Sequence, residues 1–220
     1  MLTTTNKLQT MVGNVFSTEE LAHFLGGSKT QRYNKFIKPA IDNNELIRIK
    51  RGLYVISPKY TAEKLNEYSI ANQLVNNSYV SFETALSYHQ WIPERVTIIA
   101  SAIAKRKSVS YKTPFGLFEY KKIAIDPIEF FTGVSREEIN GKYFWIATPL
   151  RALADLIFER EWQWVGIDFL TDGLRIDEDE LETLKSTDFE NIMGVYQTKN
   201  CYHARQVNVF LSQLRKELGK

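Results

Sequence analysis

A glycine turn between two helix-start signals is the feature that most constrains this chain. Ser17 is followed three residues later by Glu20, the spacing of a capping box, so a helix is predicted to start at Thr18. Gly26-Gly27 ends that helix, because glycine enters the left-handed region without strain. Ser28 is then predicted to be the N-cap of the following helix. Two helices are therefore joined by a turn of only a few residues.

The helix after Ser28 is predicted to have an apolar face and a basic face. Pro39 lies inside the pattern, so this helix should kink or restart near Lys38. The apolar positions are Tyr33, Phe36, Ile37, Ala40 and Ile41. The basic positions are Lys29, Arg32, Lys35 and Lys38.

A short hairpin with a basic rim is predicted next. The period changes at "ELIRIKRGLYVIS", where apolar and basic residues alternate before a turn at Arg51-Gly52 and a second strand at 53–56. Upstream, an apolar pattern at helical spacing predicts a first helix that ends before Phe16. Its positions are Leu8, Met11, Val12 and Val15. Three short helices followed by a hairpin, with a glycine turn between the second and third helices, form the layout of a winged helix-turn-helix.

The rest of the chain predicts a second domain of mixed α and β structure. We place the DNA-binding type of domain at residues 1–60 and a mixed α/β domain at 61–220, so the predicted class is α+β. The second domain is expected to hold a small antiparallel or mixed sheet flanked by helices. Its strand predictions are 96–102, 109–113, 116–125 and 142–148, and a helix is predicted to open at Thr148-Pro149.

Charge is distributed unevenly between the two predicted domains. Residues 1–60 carry nine Lys or Arg against four Asp or Glu, whereas residues 168–190 carry nine acidic and two basic side chains. Such a split is expected when one part of a chain meets nucleic acid and the other does not. Solvated faces of two ordinary domains would be the alternative explanation.

Other composition features predict a cytoplasmic protein without a cofactor or metal. The chain has one cysteine, Cys201, which cannot form an internal disulfide or a Cys-rich zinc site. The N-terminus lacks the layout of a signal peptide, and no run approaches the roughly 18 apolar residues of a membrane span. No membrane partner is therefore expected.

Parts of this pattern also fit two classes of enzyme. A nucleotidyltransferase would use the glycine-serine turn to hold a triphosphate, but it needs paired carboxylates for its metal ions, and the next acid is Asp42 alone. A nuclease could use the acid-x-lysine pair Glu119 and Lys121, with Glu83 and Glu94 as the acids available upstream. We predict no catalytic residue and keep the DNA-targeted nuclease as an alternative.

The DNA interpretation assigns contacts to the second helix of the motif and to the hairpin. The early residues of that helix should reach base edges, with Gln31 suited to adenine and Arg32 to guanine, while Lys35 and Lys38 suit phosphates. The hairpin cations would follow the adjacent backbone or minor groove. The predicted DNA-binding residues are Ser28, Lys29, Thr30, Gln31, Arg32, Lys35, Lys38, Arg48, Lys50 and Arg51.

Two motifs in the second domain carry a family resemblance. One motif consists of Tyr79, Val80, Ser81, Thr84, Ala85 and Leu86. A later motif consists of Ile146, Ala147, Pro149, Arg151, Ala152, Leu153 and Asp155. At these positions the chain resembles the AbiEi-type antitoxins of type IV toxin–antitoxin systems, which have an N-terminal winged helix. The chain departs from the usual pattern at Gln90-Trp91, where glycine-leucine commonly follows the middle helix.

The resemblance implies a transcriptional autorepressor of an abortive-infection (phage-defence) operon. Its first domain would bind double-stranded DNA at inverted repeats in its own promoter, and its second would oppose a nucleotidyltransferase toxin. A winged-helix regulator without a toxin partner is the first alternative, and the nuclease is the second. A fragment ending after Ile56 would retain weak DNA binding if the first domain folds by itself.

Overall fold

The protein is a mixed α+β fold with two sheets in a computed structural model, which describes residues 8, 15–62, 64–104, 107–197 and 201–220. The strands are β1 (Val15–Ser17), β2 (Leu46–Lys50), β3 (Leu53–Ile56), β4 (Ser78–Val80), β5 (Ile98–Ile103), β6 (Val109–Thr113), β7 (Gly116–Lys122), β8 (Val134–Ile139) and β9 (Lys142–Ala147). The helices are α1 (Thr18–Leu25), α2 (Lys29–Arg32), α3 (Lys38–Asp42), α4 (Glu67–Leu74), α5 (Phe82–Tyr88), α6 (Pro149–Arg160), α7 (Glu178–Glu182), α8 (Ser186–Val195) and α9 (Tyr202–Glu217).

A π-helical segment, Tyr33–Ile37, joins α2 to α3, so residues 29–42 form one continuous helix. We call it the 29–42 helix. Within the π-helical segment the N–H of Lys38 donates to the carbonyl of Tyr33, five residues earlier. Pro39 follows directly and has no N–H to donate, which explains why the regular ladder is interrupted here. The predicted irregularity near Lys38 is thus confirmed.

The first sheet includes a strand that the sequence pattern missed. Its order is β1-β3-β2, with β1 antiparallel to β3 and Phe16 opposite Tyr54. Val15 opens β1, so its assignment to the predicted first helix is wrong, because long-range pairing overrides the local helical spacing. Leu8 is helical and fully buried, and the remaining positions of that predicted helix lie outside the described residues. The predicted β2–β3 hairpin is confirmed.

Both faces of the first sheet are buried, each by a different core. Phe16, Tyr54 and Ile56 face a small core that also contains Leu21 and Ile37 from the helices of residues 18–42. The opposite face packs into the main core of the chain through Ile49, Leu53 and Val55. The hairpin is therefore held between the two parts of the molecule.

The second sheet is mixed and has the order β6-β7-β5-β4-β9-β8. β5 is parallel to β7 and β4 is parallel to β9, whereas the other neighbours are antiparallel. The predictions of strands near 96–102, 109–113, 116–125 and 142–148 are confirmed with shifted ends. The sequence pattern predicts neither β4 nor β8, because these strands are short or strongly charged.

Helix α6 is the centre of the second half. It begins after Thr148, as predicted, and every residue from Leu150 to Phe158 is buried. A helix buried on all sides is surrounded by other elements, and here α5, α8 and α9 pack against it. Within the described part of the chain, no helix is both long and apolar enough to cross a bilayer.

Candidate nucleic-acid interface

Two reciprocal capping boxes shape the turn between α1 and the 29–42 helix. Ser17 Oγ accepts from the N–H of Glu20 at 3.1 Å, and Glu20 Oε2 accepts from the N–H of Ser17 at 2.7 Å. Between the helices, Gly26 and Gly27 have φ values of 63° and 74°, which side-chain-bearing residues rarely adopt. The predicted capping box at Ser17 and the glycine ending of α1 are confirmed.

The second capping box involves a residue that the sequence assigned to DNA. Ser28 Oγ accepts from the N–H of Gln31 at 3.3 Å, and Gln31 Oε1 accepts from the N–H of Ser28 at 3.0 Å. Ser28 is thus the predicted N-cap. The Gln31 oxygen already serves the helix start, so a bidentate contact with adenine would require this side chain to leave the cap.

A groove of about 600 Å³ lies between the 29–42 helix and the β2–β3 hairpin. It is lined on the helix side by Lys29, Thr30 and Arg32 and on the hairpin side by Arg48 and Arg51. The structure therefore brings together five of the predicted site residues, four of them cationic. These cations lie on opposite walls of one concave surface. This geometry suits the phosphate backbone of a nucleic acid.

The hairpin wall is fixed to the start of α1. Gly52, in the β2–β3 turn, accepts from the N–H of Thr18 at 2.9 Å and from Thr18 Oγ1 at 3.2 Å. Gly52 has a φ of 85°, and a Cβ at this position would lie 3.1 Å from Thr18 Oγ1. The turn therefore depends on glycine both for its conformation and for its close approach to α1.

Arg32 has a structural role in this groove in addition to its charge. Its guanidinium group donates to the carbonyl oxygens of Gly26, at 3.3 Å, and of Gly27. These hydrogen bonds hold the guanidinium group over the glycine turn, so the side chain does not extend along the helix. Arg32 therefore presents its charge from the groove wall, which suits a phosphate better than the edge of a guanine deep in a groove of DNA.

Lys50 lies on the other side of the hairpin from Arg48. The pairing shifts between these residues, with Arg48 opposite Tyr54 and Lys50 opposite Leu53, so Ile49 forms a β-bulge. Strict alternation along β2 would place Arg48 and Lys50 on one face of the hairpin. The extra residue instead turns Lys50 toward the second half of the chain. Its ammonium group donates to the carbonyl of Leu74. The structure therefore does not place Lys50 in the groove.

The remaining predicted cations lie farther along the helix. Lys35 is exposed and lines a second concave surface with the glycine turn, on the side of the helix away from the hairpin. Lys38 is exposed beyond both surfaces. Neither lysine lines the groove between the helix and the hairpin.

Sequence reasoning missed two tyrosines and an acid at the groove. Tyr33 and Tyr54 both line it, and Tyr33 is 39% exposed although its spacing placed it on the core face. Burial raises the pKa of Tyr54, and the nearby cation of Arg48 opposes that rise. Glu19 also lines the groove and reduces its positive charge. The signal in the sequence that could have identified such a groove residue is a tyrosine placed among basic residues.

The two motifs of the second half of the chain meet in one buried hydrogen-bond network. Asp155 Oδ2 accepts from Tyr79 at 2.9 Å and from Ser81 at 2.6 Å. Asp155 Oδ1 accepts from Arg151 Nε at 3.1 Å and from Tyr196 at 2.5 Å. Arg151 and Asp155 are completely buried. The carboxylate therefore has four donors.

The guanidinium group of Arg151 is also bonded beyond Asp155. It donates to the carbonyl of Thr132 at 2.6 Å, to that of Phe130 at 3.4 Å and to the Tyr79 hydroxyl. Burial alone would lower the pKa of Arg151, but the neighbouring Asp155 raises it overall. Burial raises the pKa of Tyr79 and Tyr196 well above the usual range, so both hydroxyls remain neutral donors. The network holds a charged pair in the core.

The acid-x-lysine pair of the nuclease alternative lines a separate cavity. Glu119, Lys121 and Glu83 face a space of about 390 Å³. Lys121 is paired with Glu159 at 3.0 Å, and Glu83 with Arg160 at 2.8 Å. In the part of the chain that the structure describes, no three His, Cys, Asp or Glu side chains are grouped as metal ligands. Two of the side chains that the nuclease alternative invokes, Glu83 and Lys121, are therefore already held in ion pairs.

No protein-family model matches the chain, and no curated protein matches it.

Proposed function

We propose that this protein is a DNA-binding transcriptional regulator whose first 60 residues form a winged helix-turn-helix. The proposal rests mainly on the groove between the 29–42 helix and the β2–β3 hairpin, where Lys29, Arg32, Arg48 and Arg51 line one concave surface. The helix–turn–helix and the strand order β1-β3-β2 support the same assignment. The helix would enter the major groove and the hairpin would follow the adjacent backbone.

The cations of the groove favour a contact dominated by phosphates. Arg32 is held by the glycine turn and Gln31 by its capping box, so neither side chain extends freely toward a base. Thr30 and Tyr33 also line the groove and can bond to bases or phosphates. Binding to this surface should therefore depend strongly on salt.

Replacing the two hairpin arginines tests this assignment. We expect Arg48→Ala/Arg51→Ala to bind the chain's own upstream DNA about 10- to 100-fold more weakly, since two phosphate contacts are lost. The slope of log K against log salt should fall by about 2. A mobility shift over a series of salt concentrations measures both quantities.

The matched control removes the same charge from a distant helix. Arg205→Ala/Lys216→Ala changes two exposed residues of α9, and it should bind DNA like the wild type. Equal binding by the hairpin variant and this control would place the contact elsewhere. Failure of the wild type to shift the upstream DNA at low salt would contradict the proposal itself.

We further propose that the regulator is the antitoxin of a type IV toxin–antitoxin pair and represses its own operon. The support is the resemblance at the two motifs, four of whose residues, Tyr79, Ser81, Arg151 and Asp155, share the buried network. These residues organise the core and are not exposed to substrate, so we propose no catalytic activity.

Co-expression tests the antitoxin assignment. A nucleotidyltransferase encoded beside this gene should arrest growth when expressed alone, and the present chain should restore growth. The Arg48→Ala/Arg51→Ala variant should restore growth equally well, because neutralisation is assigned to the second domain. If the adjacent gene encodes no such enzyme, or growth is not restored, the protein is a regulator without a toxin partner.

A further inference from the structure

A second basic cluster lies in the β6–β7 hairpin of the second half. Residues 104–122 contain six Lys or Arg and one acid. Lys107, Lys112 and Lys122 are exposed, and the described residues give none of them an ion-pair partner. Lys121 differs, because it is paired with Glu159. The hairpin therefore carries positive charge that the rest of the described chain leaves uncompensated.

This hairpin adjoins the β2–β3 hairpin, which lines the groove beside the 29–42 helix. Lys50, at the end of β2, places its ammonium group 5.7 Å from the centre of the Tyr111 ring in β6. The next residue, Arg51, lines the groove. The β6–β7 hairpin is therefore in contact with the β2–β3 hairpin through Lys50, next to a residue of the groove wall.

Strand alternation sorts the lysines onto two sides of the β6–β7 hairpin. Tyr111 faces Lys50 and contacts the ring of Tyr120, which donates to the carbonyl of Ala71 at 2.6 Å. Lys122 lies two residues after Tyr120, so it faces the same side. Lys112 follows Tyr111 directly and points to the opposite side.

Lys107 lies beside Lys122 across the base of the hairpin. The N–H of Lys122 donates to Ser108 Oγ at 3.2 Å, which places the backbone of Lys122 beside the residue that follows Lys107. Lys107 lies four positions before Tyr111, which is about 13 Å of extended chain at ~3.3 Å per residue.

We propose that Lys107 and Lys122 form a second contact with duplex DNA, on phosphates that flank the segment held in the groove. The inference rests on the proposed DNA-binding function and extends it to the second half of the chain. Lysine suits this contact because it acts as a compact charge and needs no particular base. The contact adds affinity without adding sequence specificity.

The test compares two double variants on the chain's own upstream DNA. We expect Lys107→Gln/Lys122→Gln to weaken binding about tenfold at moderate salt and to reduce the salt slope by about 2. Hydroxyl-radical footprinting should show that protection is lost on the phosphates flanking the core site, while the core remains protected. Lys112→Gln/Lys216→Gln removes the same charge and should leave both measurements unchanged.

The possible outcomes separate this inference from the proposed function. If the wild type binds and Arg48→Ala/Arg51→Ala weakens it, but Lys107→Gln/Lys122→Gln behaves like its control, the second contact is wrong and the groove assignment holds. Equal weakening by both lysine pairs would also overturn it, since only net charge would then matter. If the wild type binds no duplex, both proposals fail. Unchanged thermal melting of each variant ensures that folding is not the cause.

Discussion

Replacing Asp155 by alanine is expected to lower the free energy of unfolding by about 3–5 kcal/mol, the usual cost of removing one partner of a buried ion pair. The change leaves the Arg151 cation in the core without its counterion. It also removes the acceptor of the Tyr79, Ser81 and Tyr196 hydroxyls. For a chain of this size the melting temperature should fall by roughly 10 °C. Thermal and urea melts monitored by circular dichroism measure the effect.

An exposed ion pair provides the control for this change. Glu190→Ala removes the partner of Arg215 on the surface and should cost less than about 1 kcal/mol. The double variant Arg151→Ala/Asp155→Ala should cost less than the sum of its single changes, because neither charge is then left alone in the core. Additive costs would mean that the two residues are not coupled, contrary to the network.

Isolating residues 1–60 is expected to abolish the cooperative folding of that segment. In the full chain Ile49, Leu53 and Val55 are 7%, 4% and 0% exposed, and they pack into the main core. Exposing three such side chains costs about 1.5–3 kcal/mol each, which is comparable to the whole stability of a domain this small. The fragment should show no sigmoidal melt and should aggregate or bind a hydrophobic dye.

A polar version of the same fragment separates the causes. Ile49→Thr, Leu53→Thr and Val55→Thr together remove the exposed apolar face and should reduce aggregation and dye binding. A cooperative melt of the unmodified fragment would contradict the expectation. It would also support the prediction from the sequence that a fragment ending after Ile56 retains weak DNA binding.

Local signals predicted the helical part of the candidate site well. The capping residues Ser17 and Ser28, the glycine ending at Gly26 and the break near Pro39 depend on neighbours in the sequence, and all four are confirmed. The β2–β3 hairpin could be predicted because its signals also depend on neighbours in the sequence. The antitoxin and DNA assignments stay predictions, because they concern partners and not the chain itself.

Features that depend on distant contacts were missed or misplaced. β1 is only three residues long and exists through its pairing with β3, so Val15 followed a helical pattern that the fold overrides. The buried network joins Tyr79 and Asp155, which are 76 positions apart, and each motif alone gave only helix starts and core positions. The Lys50 position required knowledge of a bulge that alternation cannot show.

The bulge at Ile49 has a consequence for how relatives of this chain should be recognised. One additional residue in β2 divides a string of basic residues between two surfaces, with Arg48 at the groove and Lys50 against the second half. A relative that lacks the bulge would have to shift one of its two basic residues by one position in β2. Only then would the two residues lie on the same two surfaces as here. Alignments should therefore be anchored on Gly52 and β3, because matching the charges of β2 directly would pair residues that face opposite ways.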